Sequence, residues 1–284
     1  MADSRPPIPL PMKREIRQRC AFGCVICGAP LYEYHHLKPY SEELKHEAEN
    51  LTLLCDSHHK QATNGLLTVD QIATADLNPF NIQRGVSSPF GLNFEGADFE
   101  CLIGTNKFTN SLLIENNDTF LIPISIDDID LIFVLIEPDG KLYLFANIFD
   151  ECNLPLLKIQ ANEIVYSTGS WDVEFIGKTL TVREGARKIF FEIELSPPNK
   201  IKIQRARLLC NGIEIRVRKR YLYVSNTDNI FTSNCVNGPC IGLQLGRNER
   251  MLPIGMTVPP NCISRYHLKS VSKKERAAFL RSQK

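Results

Sequence analysis

The segment between Phe22 and Gly65 holds five of the six histidines of the chain and three of its ten cysteines. Histidine is not a favoured core residue, so packing does not account for this density. Thiolates and imidazoles bind zinc and other transition metals, and an imidazole also exchanges protons near neutral pH. The segment is therefore expected to bind metal, to transfer protons, or to do both.

Four of these residues have the spacing of a structural zinc site. Cys24 and Cys27 are separated by two residues, as are Cys55 and His58, and 27 residues lie between the two pairs. A tight turn with two intervening residues places both donors on one ion, so the pattern predicts a Cys₃His site that binds Zn²⁺. The alternative is a coincidence of spacing in a cysteine-rich chain. Cys20 competes for the first pair, but its three-residue gap to Cys24 fits less well.

A second set of polar residues interleaves with the first: His35, His36, Asn50 and His59. The residues around them form two apolar-patterned segments, 32–40 and 50–55, followed by the polar segment 58–64. This order predicts two paired strands and then a helix that begins at the zinc site. Asn64 could add a metal or phosphate contact, but the Asn64-Gly65 pair is better explained as the end of that helix.

Residues 13 to about 66 resemble the HNH (ββα-metal) endonuclease family, in its zinc-stapled branch. The matching residues are Cys24 and Cys27, the His35-His36 doublet followed by Pro39, Asn50 before an apolar run, and Cys55 with His58-His59. Several fixed spacings agree together, over roughly a fifth of the chain. The resemblance carries no information about residues 99–284.

The resemblance implies a role for each residue of the second set. His36 would be the general base that takes a proton from the attacking water. His35 and His59 would hold one divalent cation at the scissile phosphate, where the ion stabilises negative charge. Asn50 would fix the loop between the strands and orient His36 by a side-chain hydrogen bond.

The chain departs from the family pattern at His35, where many members carry Asp. Two imidazole ligands favour Mn²⁺, Ni²⁺ or Co²⁺ over Mg²⁺, so the identity of the catalytic ion stays open among these four. Zn²⁺ is also favoured by two imidazoles. The zinc of the Cys₃His site, by contrast, would be closed by four protein ligands and would have only a structural role.

The remaining sequence indicates an α+β protein with two folded parts. Residues 1–70 form the nuclease domain, residues 71–98 a connecting segment rich in Gly, Ser and Pro, and residues 99–284 a β-rich domain. Ten short apolar runs between Ser111 and Val224, separated by turn residues, favour a sandwich or barrel, with a solenoid as second choice. Helices are expected over Met12–Cys20, from Thr68, and over the basic tail Ser270–Lys284. Trp171 is expected to fill the β core.

The net charge of +1 gives no global attraction to nucleic acid, so any DNA-binding surface must be local. Segment 200–220 holds eight Lys/Arg and one acid, and segment 269–284 holds six and one. Phosphate contact is expected from Arg216, Arg218 and Arg220, and also from Lys38 and Lys60. The alternative is an ordinary solvated sheet face, or pairing with the acidic residues of segment 127–130.

Composition excludes several other classes. No N-terminal apolar run resembles a signal peptide, and no apolar stretch is long enough to cross a bilayer, so a cytoplasmic protein without membrane contact is expected. In a reducing compartment the ten cysteines are metal ligands or small buried hydrophobes. Cys235, Cys240 and Cys262 are assigned to the second kind, with a metal site as the weaker alternative.

The sequence therefore predicts a metal-dependent endonuclease that cuts DNA, with a second domain that supplies specificity, oligomerisation or a trigger. Restriction and anti-phage defence nucleases often have this layout, an analogy at the level of domain organisation only. One alternative is a zinc-containing domain that binds DNA without cutting it. Another is a sensor protein whose nuclease stays dormant until the C-terminal domain is triggered.

Overall fold

A computed structural model describes residues 6–96, 98–111, 118–165 and 171–270. The N-terminal part of this structure is a short hairpin surrounded by helices. The helices are α1 (Leu10–Arg19), α2 (Tyr40–Glu43), α3 (Asp56–Thr63), α4 (Val69–Leu77) and α5 (Phe80–Arg84), and the strands are β1 (Glu33–His36) and β2 (Leu51–Leu54). The expected order of two strands and a helix is confirmed, as are the helices expected over 12–20 and from Thr68.

The N-terminal hairpin is antiparallel, with His35 opposite Thr52 and His36 opposite Leu51. All four residues of β2 are buried, and Leu51 and Leu53 pack with Ile16 of α1 in a small apolar cluster. A core of this size buries little surface, so a metal staple has a large share in the stability of such a module.

The rest of the structure is built from strands. They are β3 (Asp98–Ile103), β4 (Asn106–Ser111), β5 (Thr119–Ile126), β6 (Ile129–Ile136), β7 (Leu142–Phe149), β8 (Pro155–Gln160), β9 (Glu163–Val165), β10 (Asp172–Ile176), β11 (Thr179–Gly185), β12 (Lys188–Ser196), β13 (Lys200–Cys210), β14 (Ile213–Arg218), β15 (Tyr221–Val224), β16 (Asn229–Phe231), β17 (Cys235–Asn237), β18 (Ile241–Leu245) and β19 (Ile254–Val258). Together with the N-terminal part, they make an α+β protein, as predicted.

These strands form two sheets over one shared apolar core. One sheet has the order β19-β18-β5-β6-β7-β8-β9, and the other runs from β10 in sequence to β16. The second sheet branches at β13. The first residues of β13 also pair in parallel with β3. Strand β3 pairs in turn with β4, and β4 pairs with β17. Within the described ranges neither sheet closes into a barrel. Of the predicted architectures, the arrangement is therefore a sandwich of two sheets.

The connecting segment 71–98 is not an extended tether. Thr68 caps α4 through a reciprocal capping box, and Pro79 precedes α5. The Ser88 amide donates to the Gly28 carbonyl in the N-terminal part, and the Ser87 amide donates to Ile164 in β9. The segment thus contacts both parts, and the domain limits 1–70, 71–98 and 99–284 stay a prediction.

Two expectations fall partly or wholly outside the described residues. The predicted run Ser111–Glu115 shares only Ser111, the last residue of β4, with the described chain, and the tail helix Ser270–Lys284 shares only Ser270. The expectation for Trp171 is wrong: its side chain is half-buried at the edge of the sheet, with the Arg14 guanidinium 4.4 Å from the ring centroid. In the described ranges no helix combines the length and apolarity that a membrane span needs.

Candidate metal centre and nuclease site

Four donor atoms converge where the turn after α1 meets the start of α3. Cys24 and Cys27 lie in that turn, Cys55 is the residue before α3, and His58 is in the first turn of α3. The four ligand atoms all lie within 4.8 Å of one another. The expected Cys₃His group is thus assembled in the structure.

The spacing of these atoms fits a tetrahedral zinc ion. Cys27 Sγ lies 3.7 Å from Cys55 Sγ, and His58 Nδ1 lies 3.5 Å from Cys24 Sγ and 3.2 Å from Cys55 Sγ. Tetrahedral bonds of normal zinc length place two sulfurs about 3.8 Å apart, and a sulfur and a nitrogen slightly closer. The donor set could therefore bind structural zinc without rearrangement.

The turn around the first cysteine pair favours the thiolate form. The thiol of Cys27 and the backbone amides of Cys55, Cys27 and Ile26 stabilise the Cys24 thiolate, and together they lower the pKa of Cys24 to about 5. The two thiols share one proton, so the pKa of Cys27 rises. Gly28 ends the turn at φ +74°, and a Cβ there would lie 2.2 Å from Asn81 Oδ1. Only glycine fits this position, because both the backbone and the space exclude a side chain.

Cys20 is not part of the centre. Its sulfur lies 3.3 Å from Asp76 Oδ1 and 3.8 Å from Thr52 Oγ1 in a buried environment. Burial, assisted by the Asp76 carboxylate, raises the pKa of Cys20 to about 12. A neutral buried thiol packs like a small hydrophobe, which agrees with its poorer spacing in the sequence.

His35 and His59 face each other in front of the hairpin. Their ring centroids are 4.9 Å apart and their planes are nearly perpendicular. Burial and the neighbouring His59 lower the pKa of His35, which favours the neutral imidazole, the form that can bind a metal. Glu33 lies two residues before His35 on the same face of β1, with Oε2 3.8 Å from His59 Nε2.

His36 lies in a different environment from His35, because adjacent residues of a strand project to opposite faces. Its Nε2 is 3.1 Å from His46 Nδ1, and its ring packs against Tyr40 at a centroid distance of 5.8 Å. The structure thus brings His35 and His59 together. It places His36 beside His46, a residue for which the sequence pattern predicts no role.

Asn50 holds the backbone that follows His36. Its side chain accepts a hydrogen bond of 2.6 Å from the Lys38 amide and donates one of 3.2 Å to the Lys38 carbonyl. Asn50 is buried, and its own carbonyl accepts from the Leu37 amide. These bonds agree with a loop-fixing role. Direct orientation of His36 by Asn50 stays a prediction.

Two residues of this region, His46 and Glu33, are not predicted as site residues from the sequence. His46 stands alone in the chain, ten residues after His36, at no recognised ligand spacing. Glu33 had a usable signal, because positions 33 and 35 share one face of a strand. Asn64 is the residue that ends α3, followed by Gly65 at φ +72°, so the helix-ending interpretation is confirmed.

The residues expected to contact DNA occupy different parts of the surface. Lys38 and Lys60 are exposed; Lys38 lies two residues after His36, and Lys60 directly follows His59. Arg216 and Arg218 are exposed residues of β14, and Arg220 lies in the following turn. Their role in DNA contact stays a prediction.

Some basic residues of segment 200–220 form ion pairs with acidic residues and others do not. Arg216 donates to the Glu214 carboxylate at 2.7 Å, and Lys200, Lys202 and Arg207 also have acidic partners. The expected alternative partners in segment 127–130 pair elsewhere, with Arg250 and Arg265. Arg218 and Arg220 form no ion pair with the part of the chain that is described.

The three C-terminal cysteines do not build a second centre. Among the described residues, the only cluster of metal-binding side chains of three or more is that of Cys24, Cys27, Cys55 and His58. Cys235 and Cys262 are exposed and Cys240 is half-buried, so their assignment as fully buried hydrophobes is also not supported.

Comparison with protein families supports the same class of site. Residues 24–65 match the family model of the HNH endonucleases. The match spans all four members of the Cys₃His group, together with His35, His36, Asn50 and His59, and confirms the resemblance inferred from these residues. No curated protein and no solved structure matches the chain.

Proposed function

We propose that this protein is a metal-dependent endonuclease that hydrolyses phosphodiester bonds of DNA. The observation that carries the proposal is the pairing of His35 and His59, next to His36, inside the residues that match the HNH endonuclease model. A zinc-binding module that only holds DNA would need the four zinc ligands and would have no use for the other histidines at this spacing.

The side chains around His35 suit one divalent cation with open coordination positions. His35 and His59 would bind the ion, and the exposed carboxylate of Glu33 lies close enough to His59 to be a third ligand. When bound, such a cation stabilises the negative charge that develops on the scissile phosphate and the leaving oxygen. Two imidazoles favour Mn²⁺, Co²⁺ or Ni²⁺ over Mg²⁺.

The protein's own groups supply the proton transfer and the positioning. His36 takes the proton from the attacking water, as an imidazole can do near neutral pH. Asn50 holds the loop that follows His36 through its two bonds to Lys38. Lys38 and Lys60 contact neighbouring phosphates, which orients the backbone without reading its sequence.

The β-rich region would act as the reader or trigger of the nuclease. The exposed cations of β14 and of the turn after it are suited to phosphate contact, and homo-oligomerisation through this region is a further role that we propose to test. A place in restriction or anti-phage defence rests only on the two-part layout of cutter and reader.

The test is cleavage by the purified full chain, with His36→Ala as the matched control. Plasmid DNA, phage DNA with modified bases, and RNA are each incubated with Mg²⁺, Mn²⁺, Co²⁺ and Ni²⁺. We expect cleavage of DNA by the wild type and none by the variant. Binding of DNA without cleavage under every condition would overturn the proposal and favour the DNA-binding alternative.

A further inference from the structure

His46 lies between the proposed general base and a backbone carbonyl. Its Nδ1 is 3.1 Å from Nε2 of His36, and its Nε2 is 2.7 Å from the carbonyl oxygen of Pro6. The Tyr40 ring packs against both imidazoles, with centroid distances of 5.8 Å to His36 and 4.9 Å to His46. Both ends of the His46 ring are therefore used in hydrogen bonds.

The direction of these bonds follows from the chemistry of the groups. A carbonyl oxygen only accepts, so Nε2 of His46 carries the hydrogen and donates to Pro6. In the neutral form of His46 this is the one N–H of the ring, which leaves its Nδ1 as an acceptor. The contact of 3.1 Å then requires that His36 donate through its Nε2. In neutral His36 the lone pair is consequently on Nδ1.

We propose that His46 is a positioning residue that selects the Nε2–H tautomer of His36 and presents its Nδ1 to the attacking water. The proposal rests on the nuclease function proposed above. In the reaction, a proton moves from water to Nδ1 of His36, the water oxygen forms a bond to phosphorus, and the bond from phosphorus to the 3′-oxygen breaks. The leaving oxygen carries away the electron pair of that bond.

This hydrogen bond is retained when His36 receives the proton. Protonated His36 has hydrogens on both nitrogens, and its Nε2 continues to donate to His46. The ring thus keeps one orientation before and after proton transfer, so no reorientation adds to the barrier. The tautomer of a reacting histidine is commonly fixed by a backbone or side-chain group that hydrogen-bonds to its other ring nitrogen.

Two substitutions of His46 separate hydrogen bonding from mere space filling. His46→Leu replaces the imidazole with an apolar side chain of similar size and removes the acceptor atom Nδ1. His46→Asn places an amide oxygen near the position of Nδ1, so it can accept from His36. Both variants are compared with the wild type for zinc content and circular dichroism, which verify that the module is folded.

The direct readout is the tautomer of His36 in full-length protein labelled with ¹⁵N-histidine. Long-range ¹H–¹⁵N spectra report which ring nitrogen carries the hydrogen. We expect Nε2–H in the wild type and in His46→Asn, and a mixture of tautomers in His46→Leu. In cleavage assays, kcat of His46→Leu should fall by at least about tenfold with DNA affinity unchanged, while His46→Asn keeps most of the activity.

A wild-type His36 that carries its hydrogen on Nδ1 would overturn the proposal. So would a folded His46→Leu variant with the wild-type tautomer, or with the wild-type kcat. His46→Asn as slow as His46→Leu would show that the acceptor atom is not what matters. If the wild type cuts no DNA, the nuclease function fails, but the spectra still decide whether His46 fixes His36.

Discussion

At the scale of single residues, the N-terminal part holds two different sets of side chains that could bind metal within about forty residues of sequence. The thiolates and His58 close around one point and leave no position for a substrate. His35 and His59 offer two imidazoles in an open arrangement with an exposed carboxylate nearby. The first set is suited to holding structure, and the second is suited to a phosphate.

The assignment of His36 as general base leads to the first prediction. His36→Ala removes the proton acceptor and leaves the zinc ligands and the His35–His59 pair in place. Cleavage should fall by roughly two to four orders of magnitude, with zinc content and DNA affinity unchanged. Single-turnover cleavage rates measure the effect, and Tyr32→Phe, also near the hairpin, provides a control. A variant that cuts at the wild-type rate would show that another group is the base.

The second prediction concerns the catalytic ion. Two imidazoles bind Mn²⁺, Co²⁺ and Ni²⁺ more readily than Mg²⁺, so these ions should support faster cleavage at equal concentration. Glu33→Gln should then reduce activity more in Mg²⁺ than in Ni²⁺, since Mg²⁺ depends more on carboxylate oxygen. Initial rates across the four ions measure this. Strong activity in Mg²⁺ alone, retained in Glu33→Gln, would contradict the proposed ligands.

The residues that could be predicted from the sequence are those tied together by spacing. Cys24, Cys27, Cys55 and His58 form two pairs with equal gaps, and the structure assembles them as expected. His46 could not be found in this way, because its partner Pro6 lies 40 residues away and a lone histidine has no spacing to match. Contacts of this kind depend on where the loops fold, which local patterns do not encode.

At the scale of elements, the turn of Cys24 and Cys27, β2 and the start of α3 meet at the Cys₃His group and at a small apolar cluster. Composition misled the interpretation of the next elements. Pro79 and Gly85 indicated a connecting segment in the sequence, yet Pro79 precedes α5 and Gly85 ends it at φ +73°. Proline and glycine begin and end helices as well as loops, so their frequency alone does not distinguish the two.

The third prediction tests the zinc centre as the staple of these elements. Cys24→Ser or Cys55→Ala should lose tightly bound zinc and unfold the N-terminal part, because metal binding and folding are coupled in small modules. His59→Ala should keep its zinc and lose activity. Elemental analysis and thermal unfolding measure both effects. Less than one zinc per wild-type chain would show that the Cys₃His group is not a structural zinc site.

At the scale of the whole molecule, a buried charge network joins the N-terminal part to the second sheet, which contains β10 to β16. Arg17 of α1 donates to Asp172 at 2.7 Å and to Glu174 at 2.8 Å, both in β10, and also to the Tyr34 hydroxyl in β1. Arg183 of β11 pairs with the same two acids. No local sequence pattern indicates this network, because 155 residues separate Arg17 from Asp172.

The fourth prediction follows from the burial of this network. The side chains of Arg17 and Asp172 are only 5% and 2% exposed, so Arg17→Met leaves a buried carboxylate with one fewer partner. Loss of one partner of a buried ion pair lowers the free energy of unfolding by about 3–5 kcal/mol. We expect the lower end of this range, because Arg183 still pairs with Asp172. Chemical denaturation measures the change, with the exposed Arg205→Met expected within about 0.5 kcal/mol of wild type. A small effect of Arg17→Met would mean that the two parts do not depend on this contact.

The last prediction concerns how the whole molecule holds DNA. Residues 1–65 carry eight Lys/Arg and eight Asp/Glu, so electrostatic affinity must come from elsewhere. Strand β14 lies four strands from β10, which contacts α1, or about 19 Å across the sheet at normal strand spacing. A distance of 19 Å corresponds to about six base pairs. A duplex bound at His35, His36 and His59 could therefore also reach the arginines of β14.

Replacing Arg216, Arg218 and Arg220 with Ala should weaken binding equally for all DNA sequences. Each lost phosphate contact lowers the log–log salt slope by about 0.9. Arg216 is already paired with Glu214, so we expect most of the change from the other two, a total of about 1.8. The control removes three cations in or beside the strands of the other sheet, and should leave the slope unchanged: Lys158 in β8, Lys141 just before β7 and Arg247 just after β18. If both triple variants behave alike, the cations of β14 serve the fold or a protein partner, and DNA affinity comes from another surface.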